Sequence, residues 1–348
     1  MKFVSKYILY VLISIFVFSN AFAQDDLNTT LSKLTQDAAG HYVAPIVSAF
    51  GADLNSGWLT FVPKPKLFGV DINLKLVVMG TLFQDANKTF STSAKFRFSS
   101  NEADILVSSL DPSVRSQVKN QILSQDFVVG IDGPTIIGSK DNQIVVHFQG
   151  ATINGQNIAS QDVPTDITGV LGDIPILPLV APQLTIGTVY GSSLSIRYLP
   201  SIQINSDLGD FNYFGIGVMH NPSVWMKNPL PLDVAVGIFT QTMKVGNIFK
   251  ASATEFGVFA GKTFGLPMLS VSPYAGLAVE SSTITVSYVE TFDTPTGTQS
   301  TNLSFDLTGD NTFRFTLGST FKLGVISLNA DYSFASYSVF SAGLGLDF

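Results

Sequence analysis

The chain of 348 residues contains no cysteine. Disulfide stapling, thiolate nucleophiles and thiolate metal sites are thereby excluded, so stability has to come from a large core or a closed sheet. Histidine is nearly as scarce. His41, His147 and His220 are the three, none close to another in sequence, and neither a metal centre nor a bound cofactor is expected from them. Basic runs are missing too, and a formal net charge of −7 argues against nucleic acid as a partner. After residue 23 no apolar stretch approaches the roughly 20 residues that a membrane-spanning helix needs. Two classes survive these absences. One is a soluble β-protein; the other is a β-barrel, in which lipid-facing and lumen-facing side chains alternate and no long apolar run arises.

The chain opens with Lys2 and Lys6, an apolar run of about a dozen residues from Tyr7 to Phe18, and the small-x-small sequence Ala21-Phe22-Ala23. Residues 1–23 therefore read as a signal peptide cleaved after Ala23. Its removal takes away two lysines and no acid, moving the net charge to −9.

The carboxy-terminal end favours the barrel. Phe313, Phe315, Leu317, Phe321 and Leu323 alternate with Thr312, Arg314, Thr316, Gly318, Thr320 and Lys322. Ile326, Leu328, Ala330, Tyr332 and Phe334 then alternate with Ser327, Asn329, Asp331 and Ser333, after a turn at Gly324. The last run sets Phe340, Ala342, Leu344, Leu346 and Phe348 against Ser341, Gly343, Gly345 and Asp347. Segments of about 10 residues with period two match tilted membrane strands, whereas strands of soluble sandwiches average only about 5–6.

Similar segments recur upstream near residues 299–308, 282–293, 268–280, 251–264, 231–245, 211–220, 194–204 and 183–190. Adding 68–83, 92–99, 125–131 and 143–150 predicts an all-β, antiparallel transmembrane barrel of about 14 strands, with 12 to 16 acceptable. Pro273 should bulge or kink its strand. Leu27 to Phe50 carries apolar residues at helical spacing, with Pro45 expected to kink or split it; residues 24–57 are read as a helical hatch, and 58–348 as the barrel. A helical and irregular insertion is expected around 100–182. Within it, Asp111 and Pro112 form an N-cap and first helical position, and the proline-rich stretch from Gly169 to Pro182 forms a stiff apolar loop.

By alternation Lys95, Arg97, Glu255, Arg314, Lys322, Asp331 and Asp347 face the lumen, where charge is tolerated only with water or a partner. Three apparent motifs carry no chemistry. Gly261-Lys262-Thr263 matches the end of a phosphate loop, but Phe256 occupies the required first glycine. Gly215-x-Gly217 sits in an alternating strand and reads as close packing. Asp306 and Asp310 read as a solvated hairpin. A histidine with a nearby serine, at His220 or His147, is the arrangement an outer-membrane lipid-modifying enzyme would need.

The order of parts resembles outer-membrane transporters of the long-chain fatty-acid type, and more closely an uncharacterised family of Gram-negative barrels with the same outline. The segments that carry the resemblance are Asn55-Ser56-Gly57-Trp58, residues 187–200, residues 214–221 and the last strand. That final amphipathic strand, ending at Phe348, also resembles the signal read by the barrel-assembly machinery. The resemblance implies an outer-membrane location, the bilayer as partner and passive passage of small hydrophobic molecules, with no catalysis. It further implies an apolar ligand pocket, for which Phe50, Leu54, Trp58, Ile174, Leu177 and Leu179 are candidates. Asp25-Asp26 near the mature start depart from a carboxylate-binding terminus. A structural or adhesive surface barrel and a lipid-modifying enzyme stand as the alternatives.

Overall fold

The computed structural model describes residue 34 and residues 36–348, apart from 173, 206–208, 229 and 295–296. The expected signal peptide and the start of the hatch lie outside the described residues. The wall of the molecule is a closed antiparallel barrel of ten strands: β1 (Asp71–Leu82), β8 (Ile176–Val189), β9 (Ser192–Asn205), β10 (Gly209–His220), β11 (Asp233–Val245), β12 (Phe249–Gly261), β14 (Leu269–Thr294), β16 (Phe313–Leu323), β17 (Ile326–Phe334) and β18 (Val339–Asp347). Closure is made by β12 pairing with β14 and by β18 pairing with β1. Two strands pair with β14 outside this ring, β13 (Phe264–Leu266) and β15 (Gly297–Thr308).

The faces are inverted relative to a soluble barrel. Leu74, Phe214, Ile238, Phe256, Leu328 and Leu344 point outward and are exposed, while Lys75, Arg197, Glu255, Arg314 and Asp331 point inward and are buried. Such a surface is unfavourable in water and favourable in hydrocarbon, because the strands pair their backbone groups with neighbours in the wall and the side chains that meet the oil are mainly apolar. Among the described residues no helix is long and apolar enough to cross a membrane.

The two ends differ. At one end the strands are joined by short turns, such as Tyr190-Gly191 and Gly324-Val325. At the other, β1 and β8 are separated by a cap built from β2 (Thr89–Phe96), α2 (Ser100–Val107), α3 (Pro112–Leu123), β3 (Phe127–Pro134), β4 (Val145–Phe148), the hairpin β5 (Ala151–Ile153) with β6 (Gln156–Ile158), and β7 (Gln161–Pro164). Strands β2, β3, β4 and β7 form a separate four-stranded sheet. Helix α3 begins as foreseen: the Asp111 side chain accepts from Ser113 N, Pro112 takes the first position, and Val118 and Ile122 are buried. Helix α2 was not foreseen, although Ser99 and Glu102 close a reciprocal capping box.

Ten strands rather than 14 form the wall, for three reasons. The segments 92–99, 125–131 and 143–150 belong to the cap sheet. The segments 268–280 and 282–293 are one strand of 26 residues, β14, which pairs with β16 up to Val279 and with β15 from Thr283 onward. Segment 299–308 is β15, which lies outside the ring. Pro273 causes no register shift: it sits opposite Ser319 in an unbroken ladder, and its carbonyl accepts from Lys262 N just beyond the last β12 pair, so its missing N–H faces the end of a ladder. The expected loop at 169–182 is corrected as well, because residues from Ile176 onward form β8, with Pro178 opposite Gly80 and Pro182 opposite Leu76.

Leu344→Arg, placing charge on the outward face, is expected to destabilise the barrel by about 2–4 kcal/mol. Thr301→Arg, on β15 outside the wall, should cost less than about 0.5 kcal/mol. Denaturant unfolding in a lipid bilayer checks both.

Candidate functional site: the filled lumen

Before the first strand, the chain forms α1 (Gln36–Leu54) at the cap end. It then crosses the lumen in an extended path and emerges at the short-turn end, where Asn221 Nδ2 donates to Pro63 O. Pro45 does not split α1, which runs as one helix with Tyr42, Val43, Ile46 and Val47 buried around it.

A helix ends with unpaired carbonyls and the negative end of its dipole, so cations are favoured there. The wall supplies three. Arg314 donates through Nη2 to Ala52 O at 2.8 Å and through Nη1 to Ser56 Oγ. Arg197 Nη2 donates to Ser56 O at 2.8 Å, and Lys75 Nζ donates to both Gly57 O and Leu59 O at 3.0 Å. Neutral donors continue the series: Gln183 Nε2 to Trp58 O at 2.9 Å and Thr320 Oγ1 to Thr60 O at 2.6 Å. Gly57 has φ +67°, and a Cβ there would lie 2.7 Å from Val77, so both backbone and space demand glycine. Trp58 lies under the Arg197 guanidinium, 3.9 Å from its carbon to the ring centroid, and stacks on Phe239 at 5.0 Å. Gly215 admits that indole and Gly217 admits Phe239, which accounts for the Gly-x-Gly spacing as close packing.

Carboxylates balance the cations. Arg314 Nη2 is 2.8 Å from Glu280 Oε2, and its Nε is 3.6 Å from Glu255 Oε2. Glu255 and Glu280 face each other directly across β12 and β14. Asp331 accepts from Tyr274 at 2.9 Å, and Asp53 accepts from Thr81 at 2.8 Å. At its other end α1 is tied into the cap. The Tyr42 hydroxyl donates to Thr168 O at 2.9 Å and accepts from Val170 N, while Tyr42 O accepts from Ile136 N.

Residues 1–348 match the family described as "Family of unknown function (DUF6588)". The chain belongs to that family. No curated protein matches it. Among solved structures it is similar to a loop-deletion mutant of OmpT, an outer membrane protein of Vibrio cholerae, with 11% identity over 80% of this chain and 99% of that one, at a TM-score of 0.24. The outer membrane protease OmpT of Escherichia coli aligns at 7% identity over 83% of this chain and 99% of that one, TM-score 0.26. The transport unit of the Escherichia coli autotransporter AIDA-I aligns at 8% identity over 88% and 98%, TM-score 0.28.

In this family member the inward residues read from alternation separate into two groups. Glu255, Arg314 and Asp331 are in the lumen; Lys322 shares their face near the short-turn rim, and Asp347 accepts from Asn73 at 2.9 Å. Lys95 and Arg97 do not face the lumen: they lie on or beside β2 in the cap, with Arg97 Nε 2.7 Å from Asp126. Alternation reports a two-faced sheet without saying which sheet. Arg197, Lys75 and Glu280 were missed, although each is an isolated charge within an alternating strand and on its inward register. Of the candidate pocket residues, Phe50, Leu54, Leu177 and Leu179 share one packed core, and Ile174 rests against it. Trp58 belongs to a second cluster with Phe239, Phe259 and Tyr274. A recess lined by Phe61, Lys262 and Tyr274 holds about 10 Å³, room for one water.

His220 does have a serine neighbour, with Nδ1 2.9 Å from Ser192 Oγ, but Trp225 Nε1 approaches its Nε2 at 3.3 Å. An indole can only donate, so Nε2 must accept and Nδ1 carries the hydrogen. His220 then donates to Ser192 and cannot take its proton. His147 in the cap lies between two carboxylates, Nδ1 2.7 Å from Asp162 and Nε2 2.8 Å from Asp132, the latter close enough for ion pairing but not aligned as a hydrogen bond. Among the described residues no group of three or more acid or histidine side chains is placed to hold a metal.

Arg314→Leu is expected to lose about 3–5 kcal/mol, since it strands two buried carboxylates and the helix-end carbonyl; urea unfolding of the folded barrel measures it. The hydrogen bond to Asp162, more than any other influence, raises the His147 pKa above its ordinary value. The cap stabilisation from this group is therefore complete below about pH 6.5 and declines as pH rises through the raised value. Amide exchange at Val146 and Val163 should accelerate over that window, and Asp162→Asn should move the acceleration to lower pH.

Proposed function

We propose that the protein is an outer-membrane barrel, delivered by a cleaved signal at residues 1–23 and assembled through its last strand, that passes small apolar molecules such as fatty acids through its side wall. The observation that carries this reading is an interrupted ladder. Strand β9 pairs with β8 only from Gln183↔Arg197 to Val189↔Ser192; among the described residues, 176–182 have no partner on β9. Beyond Arg197, β9 continues against β10 alone, with a register shift beside Pro200.

Prolines lower the cost of that open seam by removing two of its donors. Pro175 O accepts from Phe83 N at the end of β1, so odd-numbered residues of β8 turn their polar groups toward β1. The even-numbered Pro178 and Pro182 turn theirs toward the seam and have no N–H to leave unpaired. Leu177, Leu179 and Ile174 lie beside it and supply the apolar lining. The lumen itself is a poor route, because residues 36–63 fill it and the wall cations hold them. Movement of α1 as a hatch would have to disengage Arg197, Arg314 and Lys75, and Tyr42 with them.

A second reading, a structural or adhesive surface barrel, is favoured by one feature: α1 is cemented into the cap core through Tyr42. The two readings separate on one experiment. Pro178→Val with Pro182→Val restores two donors facing β9 and favours closure of the ladder. Uptake of a fluorescent fatty acid by proteoliposomes should fall several-fold while heat-modifiable gel mobility stays unchanged. Wild-type protein that gives no uptake above empty vesicles, or a double variant that transports at the wild-type rate, removes the side-wall route.

A further inference from the structure

The five connections at the short-turn end, residues 61–70, 190–191, 221–232, 262–268 and 324–325, contain no Asp or Glu in a chain with 26 acidic residues. They contain four lysines, Lys64, Lys66, Lys227 and Lys262. Their tips are apolar as well: Phe68 is 78% exposed, Trp225 66% and Leu266 71%. At the feet of β1, β16 and β18 no polar margin separates this rim from the lipid-facing belt, since Ile72, Leu323 and Phe348 carry the outward apolar face right up to it.

We infer that this rim is a binding surface for anionic phospholipid headgroups of the adjoining leaflet. The lipid, rather than a protein partner, is favoured by continuity with the apolar belt and by the residue types. Phe68 packs on Tyr190 at 5.6 Å, and Tyr190 stacks on Trp225 at 6.2 Å, an aromatic group of the kind that settles at the headgroup level. Lys262 Nζ lies 5.8 Å above the Phe264 ring, its stem along apolar surface and its charge toward the headgroup zone. Three acids stand at the strand feet: Asp71 is partnered, Asp233 lies in the electrostatic field of Lys64 and Lys262, and Asp347 accepts from Asn73. Lys66 and Lys227 are exposed and hold no ion pair among the described residues, so they present their charge to a phosphate.

The test uses the full chain reconstituted in vesicles of equimolar phosphatidylcholine and phosphatidylglycerol, extracted gently and weighed by native mass spectrometry. Wild-type protein should retain phosphatidylglycerol in preference to phosphatidylcholine, and the preference should weaken with salt. The variant Lys64→Gln/Lys66→Gln/Lys227→Gln/Lys262→Gln should lose it. Lys244→Gln/Lys250→Gln, on the outward face near the opposite end, should keep it. Should the quadruple variant fail to show heat-modifiable mobility, Lys66→Gln/Lys227→Gln decides. A wild type without lipid preference, as expected if a protein covers the rim, overturns the inference. So does a preference that survives in the rim variant or is lost equally in the control.

Discussion

The clasp of wall cations on the carbonyls of residues 52–59 is the interaction on which the arrangement depends. A barrel of ten strands encloses space that side chains alone have to fill or water will enter. Here the chain fills it with its own N-terminal segment, and that segment brings unpaired carbonyls into a region from which water is largely excluded. Arg314, Arg197 and Lys75 satisfy those carbonyls, and their own burial is made tolerable by Glu280, Glu255 and Asp331. Each partner alone would be a buried charge costing several kcal/mol; together they fix the path of the lumenal segment.

That path couples the two halves of the molecule. Helix α1 contributes Phe50 and Leu54 to a core that runs on into the cap, and Tyr42 closes hydrogen bonds with three cap residues. The cap is therefore attached to the barrel through the interior as well as through the connections at either end of residues 83–175. In the wall, by contrast, β8 and β9 part company where three prolines cluster in the two strands. The buried charge contacts gather along the axis, and on the circumference the ladder is interrupted between β8 and β9.

Alternation made much of this legible. The last three strands, the outward Phe321, Leu328 and Leu344, and the inward Glu255, Arg314 and Asp331 follow from period two alone, because a strand has only two faces. Alternation could not distinguish the wall from the cap sheet, which is why Lys95 and Arg97 were assigned to the lumen. Nor could it see that one strand of 26 residues changes partners midway. Proline at 178 and 182 argued against a strand by local rules, and those rules failed because the missing donors face an unpaired seam.

By itself, the sequence determined the chemistry of each strand face, the absence of thiol chemistry and the helix start at Asp111-Pro112. Only the tertiary structure decided which strands close the ring, that the N-terminal segment threads it, and that Lys75, Arg197 and Arg314 converge on one stretch of backbone. The reason is one of range. Face preference and capping depend on neighbours a few residues away, whereas closure and the clasp join positions more than 100 residues apart, as Arg197 and Ser56 are, and no local pattern encodes which distant partner is chosen.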